Sequence, residues 1–285
     1  YGGTRRFIES HFKNYGINYS FTKDLSSEAF EDCIQENTKL IYIETPSNPL
    51  LKLVDLFAIA KLAKSHRIVT AADNTFASPI VQNPLDLGVD IVMHSATKYF
   101  GGHSDISAGA VASSQEIMDK IWNLSKDFGG NLSDYTVWLL ERSMKTLGIR
   151  VKAQQRNAKR LAKFLNKHTA VKSVYYPGLK TNEYHGLAKI QMKGFGAMMS
   201  FELTEEYNAE AFLKALELIK PSMSLAGVES TMLLPCKTSH ALLSDSDRLS
   251  QGITDQLIRF SVGIENKSDL INDIEQAISA SHSKR

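Results

Sequence analysis

Short apolar runs alternate with a helical pattern in the first third of the chain, and this alternation constrains the fold more than any other feature. The runs LIYIE, IVTAA and VDIVM are too short for helices and apolar on both faces, as expected for strands of a covered parallel sheet. They occupy residues 40–44, 68–72 and 89–93. Between the first two runs lies a predicted helix with Asp55 as its N-cap and an apolar stripe comprising Leu53, Phe57, Ala60 and Ala63. The pattern predicts a βαβ unit.

The second half of the chain has a different pattern. A long helical stretch, residues 133–167, is predicted to break near Gly148, and strands are predicted at residues 171–176, 196–203 and 258–264. Two helices are interleaved with these strands, the later one with Ser268 as its N-cap. The earlier one carries apolar residues at helical spacing: Ala209, Phe212, Leu213, Leu216 and Ile219. We therefore predict two domains, a larger one over residues 1–145 and a smaller α+β domain over residues 146–285.

Composition excludes several classes of protein. The 285 residues include 33 basic and 31 acidic side chains without a long run of one sign, so nucleic acid is not an expected partner. Cys33 and Cys236 lie far apart without a CxxC motif, which argues against a disulfide framework and against a zinc site. No apolar stretch approaches the roughly 18 residues of a membrane span, and the start has no signal-type segment, so the expected location is the cytoplasm, away from membranes.

Polar side chains follow each of the three predicted strands of the first sheet. Asn48 follows the first strand, Asp73 the second, and Ser95, Thr97 and Lys98 the third. Because ligands of an open parallel sheet bind beyond the carboxyl ends of its strands, we expect these side chains to converge on one ligand.

The chemistry that needs this set of residues is that of pyridoxal phosphate (PLP). Lys98 is the candidate for the lysine that forms a Schiff base with the cofactor, and it must lose its proton to react. Asp73 is suited to hold the ring nitrogen in its protonated form. The hydroxyls of Ser95 and Thr97, within the sequence Ser-Ala-Thr-Lys, are candidate donors to the phosphate.

Each of these residues has a commoner explanation when taken singly. A lone lysine after a strand is usually a solvated charge, and an Asp-Asn-Thr run is usually a turn or a helix cap. His94 and His103 flank Lys98, but no third ligand lies at metal-binding spacing, so we expect them to be structural. The glycine pairs at residues 101–102 and 129–130 match no nucleotide-binding motif.

Seven sequence motifs together resemble one enzyme family. They are HSATKYFGGHSD, ETPSNP, ADNTFASP, VYYPGL, GFGAMMSFEL, SLAGVES and LIRFSVGIE. In order and spacing, from Tyr1 to about residue 280, they are similar to the PLP-dependent enzymes of cysteine and methionine metabolism. That family includes cystathionine γ-synthase, the cystathionine β- and γ-lyases, O-acetylhomoserine sulfhydrylase and methionine γ-lyase.

The resemblance implies a fold, an assembly and further site residues. The expected fold is α/β, PLP fold type I of the aspartate-aminotransferase kind, with a mostly parallel sheet and a smaller C-terminal α+β domain. The expected assembly is a homotetramer built as a dimer of dimers. By resemblance, Tyr1 stacks on the cofactor ring and assists proton transfer, and Asn48 lies near the ring hydroxyl and the substrate. Arg259 binds the substrate carboxylate, with Ser224 beside it.

The resemblance also implies an activity. We expect β- or γ-elimination, or γ-replacement, on sulfur amino acids or activated homoserine, as in cystathionine γ-synthase or a cystathionine lyase. Methionine γ-lyase and O-acetylhomoserine sulfhydrylase are the alternatives, and from another class an inactive fragment that only associates with partner subunits. Gly3 stands where methionine γ-lyases carry cysteine, and Met223 stands where cystathionine γ-lyases often carry a glutamate that meets the distal ammonium group.

The start of the chain differs from the family pattern. The family has a considerable stretch before the motif YGGT, which supplies backbone amides for the phosphate and a Tyr/Arg pair for the neighbouring subunit. We expect the chain to lack that segment, so that the large-domain fold is N-terminally incomplete. On this expectation the chain alone binds PLP weakly and turns over little substrate.

Overall fold

A computed structural model describes residues 1–241 and 244–282 and contains two sheets. The first sheet has the strand order β1-β2-β3-β4, with β1, β2 and β3 parallel and β4 antiparallel to β3. Its strands are β1 (Leu40–Glu44), β2 (Val69–Asp73), β3 (Ile91–Ser95) and β4 (Gly109–Ser113). The predicted mostly parallel sheet is confirmed, with the second strand beginning one residue later than predicted and the third two residues later.

The second sheet is mostly antiparallel and has the order β5-β6-β9-β8-β7. Its strands are β5 (Val171–Tyr175), β6 (Met198–Leu203), β7 (Lys220–Pro221), β8 (Thr231–Leu233) and β9 (Leu257–Ser261). The three strands predicted in this half overlap β5, β6 and β9. The second sheet and its helices form the expected α+β arrangement.

Ten α-helices surround the two sheets within the described residues. They are α1 (Gly2–His11), α2 (Ser27–Glu31), α3 (Leu56–Ser65), α4 (Gln115–Phe128), α5 (Asp134–Met144), α6 (Leu147–Leu165), α7 (His185–Gln191), α8 (Ala209–Ala215), α9 (Asp245–Ser250) and α10 (Lys267–Ala280). In this part of the chain, none of the helices is both long enough and apolar enough to cross a membrane.

Helix α3 confirms its predicted cap and corrects its predicted stripe. The side chain of Asp55 accepts a hydrogen bond of 2.9 Å from the amide of Ala58, as an N-cap should. Phe57, however, is 65% exposed. The helix begins at Leu56, which is buried, so the residues facing the core lie three, four and seven positions after Leu56. They are Ile59, Ala60 and Ala63.

Three predicted features of the later helices also differ in the structure. The long helical stretch breaks at residues 145–146, because α5 ends at Met144, and Gly148 lies in the first turn of α6. Helix α8 ends at Ala215, so two residues of the predicted stripe lie beyond it. The N-cap of α10 is Asn266, whose side chain accepts from the amide of Ser268 at 2.8 Å.

Helix α6 lies at the centre of the main hydrophobic core. That core includes Tyr99 from the segment after β3, Val151 and Leu161 from α6, and Phe201 from the second sheet. A separate cluster lies between α3 and the strands β1 and β2. The element that follows the predicted domain boundary therefore packs against both halves of the chain, and the division at residues 145 and 146 stays a prediction.

Candidate active site

The carboxyl ends of the first three strands lie side by side at one edge of the first sheet. In the parallel registers Glu44 is opposite Asp73, and Asp73 is opposite Met93. One carboxylate oxygen of Asp73 accepts a hydrogen bond of 3.0 Å from the amide of Thr75, which fixes the side chain at the strand end. Ser95, the last residue of β3, donates its amide to the Thr75 hydroxyl at 2.8 Å. The structure thus brings the predicted residues Asp73 and Ser95 to the same edge.

Lys98 lies in a tight turn directly after β3. Its amide donates to the carbonyl of Ser95 at 3.0 Å, and its carbonyl accepts from the amide of Gly102 at 2.7 Å. The side chain is half-buried. Burial, and then the positive charge of Arg259, lower the pKa of Lys98. A lysine that loses its proton more readily has a larger share of its neutral, nucleophilic form near neutral pH, so the position suits the role predicted for it.

The two hydroxyl residues before Lys98 differ in their availability. The Thr97 hydroxyl donates to the carbonyl of Ala108 at 3.2 Å and accepts from the amide of Ala108 at 2.9 Å. Its single proton is therefore used, and donation to a phosphate requires release of that carbonyl. Ser95 is half-buried, and its hydroxyl makes no hydrogen bond to any other described residue. Of the two predicted phosphate donors, Ser95 is the better placed.

Arg259 lies on β9 and is buried, with 3% of its surface exposed. Its guanidinium donates to the side-chain oxygen of Asn48 at 3.4 Å and to the carbonyl of Met223 at 3.0 Å. Within residues 1–241 and 244–282, it forms no salt bridge with a carboxylate. Burial lowers its pKa to about 10, so it stays charged at neutral pH. The structure brings together Asn48 and Arg259, which are 211 residues apart in sequence.

Two other buried arginines show what is unusual about Arg259. Arg248 pairs with Asp245 at 3.1 Å and with Asp255 at 2.9 Å. Arg150 donates to three carbonyls and one hydroxyl. Toward the residues that the structure describes, Arg259 uses only two of its N–H donors, one of them in a long contact. A buried guanidinium with unused donors is a binding site for a planar anion such as a carboxylate.

Ser224 and Tyr1 lie at the border of this site. The amide of Ser224 donates to the hydroxyl of Ser222 at 3.3 Å, and its carbonyl accepts from the Thr231 hydroxyl at 3.0 Å. Ser224 therefore comes directly after Met223, whose carbonyl Arg259 contacts. Ser224 itself makes no hydrogen bond to the guanidinium. The amino group of Tyr1 pairs with Glu44 at the end of β1, but Tyr1 itself is 68% exposed.

Sequence reasoning missed two residues of this region. Glu44 accepts a hydrogen bond of 3.2 Å from the amide of Asn48, a predicted residue. It is the last residue of a predicted strand, and the strand-end argument could have found it. The second is His240, because burial and then nearby positive charges, that of Arg259 included, lower the pKa of His240 to about 4. No local pattern marks His240.

The two histidines that flank Lys98 make contacts of a structural kind. His94 is buried and stacks on Phe100 with ring centroids 4.7 Å apart. Burial lowers the pKa of His94 to about 4, so the ring is neutral at neutral pH. A ring nitrogen of His103 lies 2.7 Å from the carbonyl oxygen of Gly101. Among the described residues, no group of three or more histidine, cysteine or acidic side chains is arranged to hold a metal ion.

This arrangement is characteristic of one class of enzyme. A lysine in the turn after a parallel strand, an aspartate at the neighbouring strand end and a buried arginine in the second sheet fit PLP with an amino-acid substrate. These residue types match the chemistry of the cofactor, because Lys98, Asp73 and Ser95 are the predicted partners of its carbonyl carbon, ring nitrogen and phosphate. The fold and site define a PLP-dependent enzyme of fold type I.

Comparison with known proteins identifies the family within that class. The family model described as "Cys/Met metabolism PLP-dependent enzyme" matches residues 1–279. The chain belongs to this family, and its cofactor is PLP.

Individual relatives cover nearly the whole chain. A cystathionine γ-lyase of Bacillus subtilis (strain 168) is 46% identical over 279 residues, which are 98% of this chain and 74% of the relative. A cystathionine β-lyase of Lactococcus lactis subsp. cremoris (strain MG1363) is 44% identical, covering 98% of this chain and 73% of that protein. The solved structure of cystathionine γ-lyase from Lactobacillus plantarum complexed with L-serine has a TM-score of 0.96 at 44% identity. That match covers 99% of this chain and 74% of the other.

Proposed function

We propose that this chain catalyses elimination or replacement at the β or γ carbon of sulfur amino acids, with cystathionine as the principal substrate. The observation that carries the proposal is the buried Arg259, which has unused donors and whose charge acts on Lys98. An amino acid supplies the carboxylate that this guanidinium lacks and an α-carbon for the lysine. The family membership supports the same reaction class.

On the cofactor side, four residues have assigned roles. PLP, when bound, withdraws electrons from the substrate α-carbon. Lys98 holds the cofactor covalently and, once released, moves the α-proton at its Nζ. Asp73 keeps a proton on the ring nitrogen by its negative charge. Ser95 and Thr97 donate to the phosphate, Thr97 only after its bond to the Ala108 carbonyl is exchanged.

On the substrate side, the proposed residues come from several elements. Arg259 binds the α-carboxylate, with Asn48 holding one face of the guanidinium through the contact at 3.4 Å. Ser224 borders the carboxylate. Tyr1 covers the cofactor ring and assists proton transfer, and Glu44 positions Asn48 by accepting its amide.

Two positions bear on the choice of substrate. Gly3, with no side chain, stands where methionine γ-lyases carry a cysteine thiol, which disfavours methionine as the best substrate. Met223 is 67% exposed and cannot pair with an ammonium group. We therefore infer that recognition at the distal end of cystathionine does not come from this position.

We also propose a homotetramer and a division into domains at residues 145 and 146. Helix α4 has no buried residue, and several of its large side chains are exposed, among them Trp122 and Phe128. In α5, Tyr135 and Trp138 are 68% and 55% exposed. Apolar surface of this extent on neighbouring helices favours association with further copies of the chain.

Product analysis with cystathionine tests the proposed reaction. Cleavage of the Cγ–S bond yields cysteine, 2-oxobutanoate and ammonia, whereas cleavage of the Cβ–S bond yields homocysteine, pyruvate and ammonia. We expect one of these product sets, or formation of cystathionine from cysteine and an acylated homoserine, to be faster than release of methanethiol from methionine. If methionine is the fastest substrate, the assigned specificity is wrong, and if no substrate reacts with PLP-loaded protein, the proposed activity is wrong. The Lys98→Ala variant serves as the blank.

A further inference from the structure

One face of α6 carries three polar side chains that point at the loops around the site. Arg150, Gln154 and Asn157 are spaced four and three residues apart, so they lie on the same side of the helix. Arg150 and Gln154 are buried, and Asn157 is half-buried. Each of them donates hydrogen bonds to backbone carbonyls of a different segment.

Arg150 holds the segment that follows Lys98. Its guanidinium donates to the carbonyl of Tyr99 at 2.8 Å and to that of Phe100 at 3.2 Å. Gly102 has a φ of +69° and lies so close that an added Cβ would stand 1.9 Å from a guanidinium nitrogen. No other residue fits there without displacing Arg150. The lysine turn is therefore attached directly to the helix.

Gln154 holds the loop that follows Ser224. Its amide nitrogen donates to the carbonyl of Gly227 at 2.6 Å, and its side chain is fully buried. The next residue, Val228, donates its amide to the carbonyl of Gly102 at 2.9 Å. This loop is thus bonded both to the helix and to the end of the lysine segment.

Asn157 holds the segment that follows Arg259. Its amide nitrogen donates to the carbonyl of Gly263 at 3.1 Å and to the carbonyl of Glu265 at 2.8 Å. Strand β9 ends at Ser261, so these acceptors begin two residues after the strand that carries Arg259. The arginine side of the site is attached to the same helix as the lysine side.

We propose that this face of α6 sets the separation between Lys98 and Arg259, with Arg150, Gln154 and Asn157 as positioning residues. The inference rests on the proposed function, because it gives Lys98 and Arg259 their roles. A substrate bound by its carboxylate must present its α-carbon to Lys98, and a misplacement of about 1 Å costs on the order of 10²-fold in rate. A rigid helix bonded to both segments holds such a distance, together with the direct bond between Val228 and Gly102.

The alternative is that these side chains merely satisfy buried carbonyls. If the role is purely stabilising, replacing Arg150 or Asn157 lowers the unfolding temperature and affects no segment of the chain more than another. The positioning role predicts different effects at the two ends, because Arg150 is bonded to the lysine segment and Asn157 to the segment after Arg259.

Hydrogen exchange on the full chain without cofactor tests the attachment itself. The variants are Arg150→Met and Asn157→Ala, with Arg156→Met as the control, because Arg156 is exposed on the same helix. In Arg150→Met we expect the amides of Gly101 and Gly102 to exchange about 10- to 100-fold faster, as loss of charge-assisted bonds implies. In Asn157→Ala the amide of Ile264, and not those two, should accelerate.

Steady-state kinetics of the PLP-loaded chain test the consequence. Arg150→Met should weaken PLP binding and lower kcat, whereas Asn157→Ala should raise the KM for the amino acid and leave PLP affinity unchanged. Arg150→Lys, which keeps the charge, should recover part of the loss and replaces Arg150→Met if that variant does not fold. The proposal is wrong if Arg150→Met and Asn157→Ala accelerate the exchange of the same amides and change the same kinetic constants equally. Complete failure of the wild-type chain to bind PLP even at saturating cofactor refutes the proposed function instead, while the exchange pattern still decides the attachment.

Discussion

The lysine side and the arginine side of the site differ in how completely their hydrogen bonds are made within the chain. The turn from Ser95 to Gly102 is closed by its own backbone bonds and by Arg150. Arg259 is as buried as Arg150, but some of its N–H groups donate to no described residue. The contrast indicates a rigid support around Lys98, where we propose that the cofactor is attached. It also indicates an incomplete environment around Arg259, where we propose that the substrate supplies the missing partner.

The missing hydrogen-bond partners of Arg259 destabilise the fold, and this cost is the reason why they indicate a functional site. A buried charge without a carboxylate or a full set of acceptors destabilises the fold, as the lowered pKa of Arg259 reflects. Arg248, with two carboxylate partners, shows the ordinary solution in the same half of the chain. On the proposed function, a bound substrate carboxylate would compensate the cost at Arg259 by adding a charge-assisted pair.

Removal of the lysine should have the largest effect. Lys98→Ala is expected to lower turnover by roughly 10⁴-fold, the upper end of what a positioned proton-transfer group contributes. Initial rates of oxo acid formation measure this effect, and Lys64→Ala, which alters an exposed lysine, is the control. If Lys98→Ala keeps its turnover, Lys98 is not the reacting lysine, and the rigid turn around it does not serve the reaction.

Removal of the arginine should have an intermediate effect. Arg259→Ala is expected to lower kcat/KM by about 10- to 150-fold, since it deletes a charge-assisted pair. Arg259→Lys keeps the charge but not the two parallel donors, and it should recover only part of the loss. Unchanged kcat/KM at full PLP loading would show that the open donors serve no ligand.

A substitution at the border of the arginine side should have a small effect. Met223→Glu places a carboxylate where the family resemblance expects one, and it should lower the KM for cystathionine by about 1.4- to 5-fold, the range of exposed ion pairs. The KM for methionine, which has no distal ammonium, should not change. Met223→Gln is the neutral control, and an equal gain in that variant would rule out the charge pair.

The smallest effect concerns stability on the lysine side. The pKa of Lys98 in the folded chain lies below the ordinary 10.5. At any pH below that folded-state pKa, the charge on Lys98 therefore destabilises the folded chain. This destabilisation disappears as the pH rises toward 10.5. The Lys98→Met variant should therefore be more stable than the wild-type chain by the largest amount near neutral pH. Urea unfolding of cofactor-free protein at pH 7 and pH 9.5 checks this trend, with Lys64→Met as the control. A stability difference that grows with pH would contradict the sign.

Much of the fold was predictable because local patterns dictate it. The first strand was predicted at its exact bounds, and Asp55 was predicted as a cap, since both follow from the order of residue types. Strand β4 and helix α4 were not predicted. The sequence GAVAS of β4 has small residues and little β-branching, so it forms a strand through its pairing with β3.

The site was predictable only where strand ends carry it. Asp73, Ser95 and Lys98 follow predicted strands, so the parallel topology alone brings them to one edge. Arg150 could not be found in this way, because its two acceptors in the segment after Lys98 lie 50 and 51 residues away and are backbone carbonyls, which no side-chain pattern reveals. Arg259 was found by resemblance, and only the structure shows its unused donors.

The covalent attachment site of the cofactor tests the account most directly. PLP is added to the full chain, the complex is reduced with borohydride, and the digested protein is analysed by mass spectrometry. We expect a pyridoxyl adduct on Lys98 and loss of the visible absorption band, with no adduct in Lys98→Ala. An adduct on another lysine, with Lys98 unmodified, would contradict it.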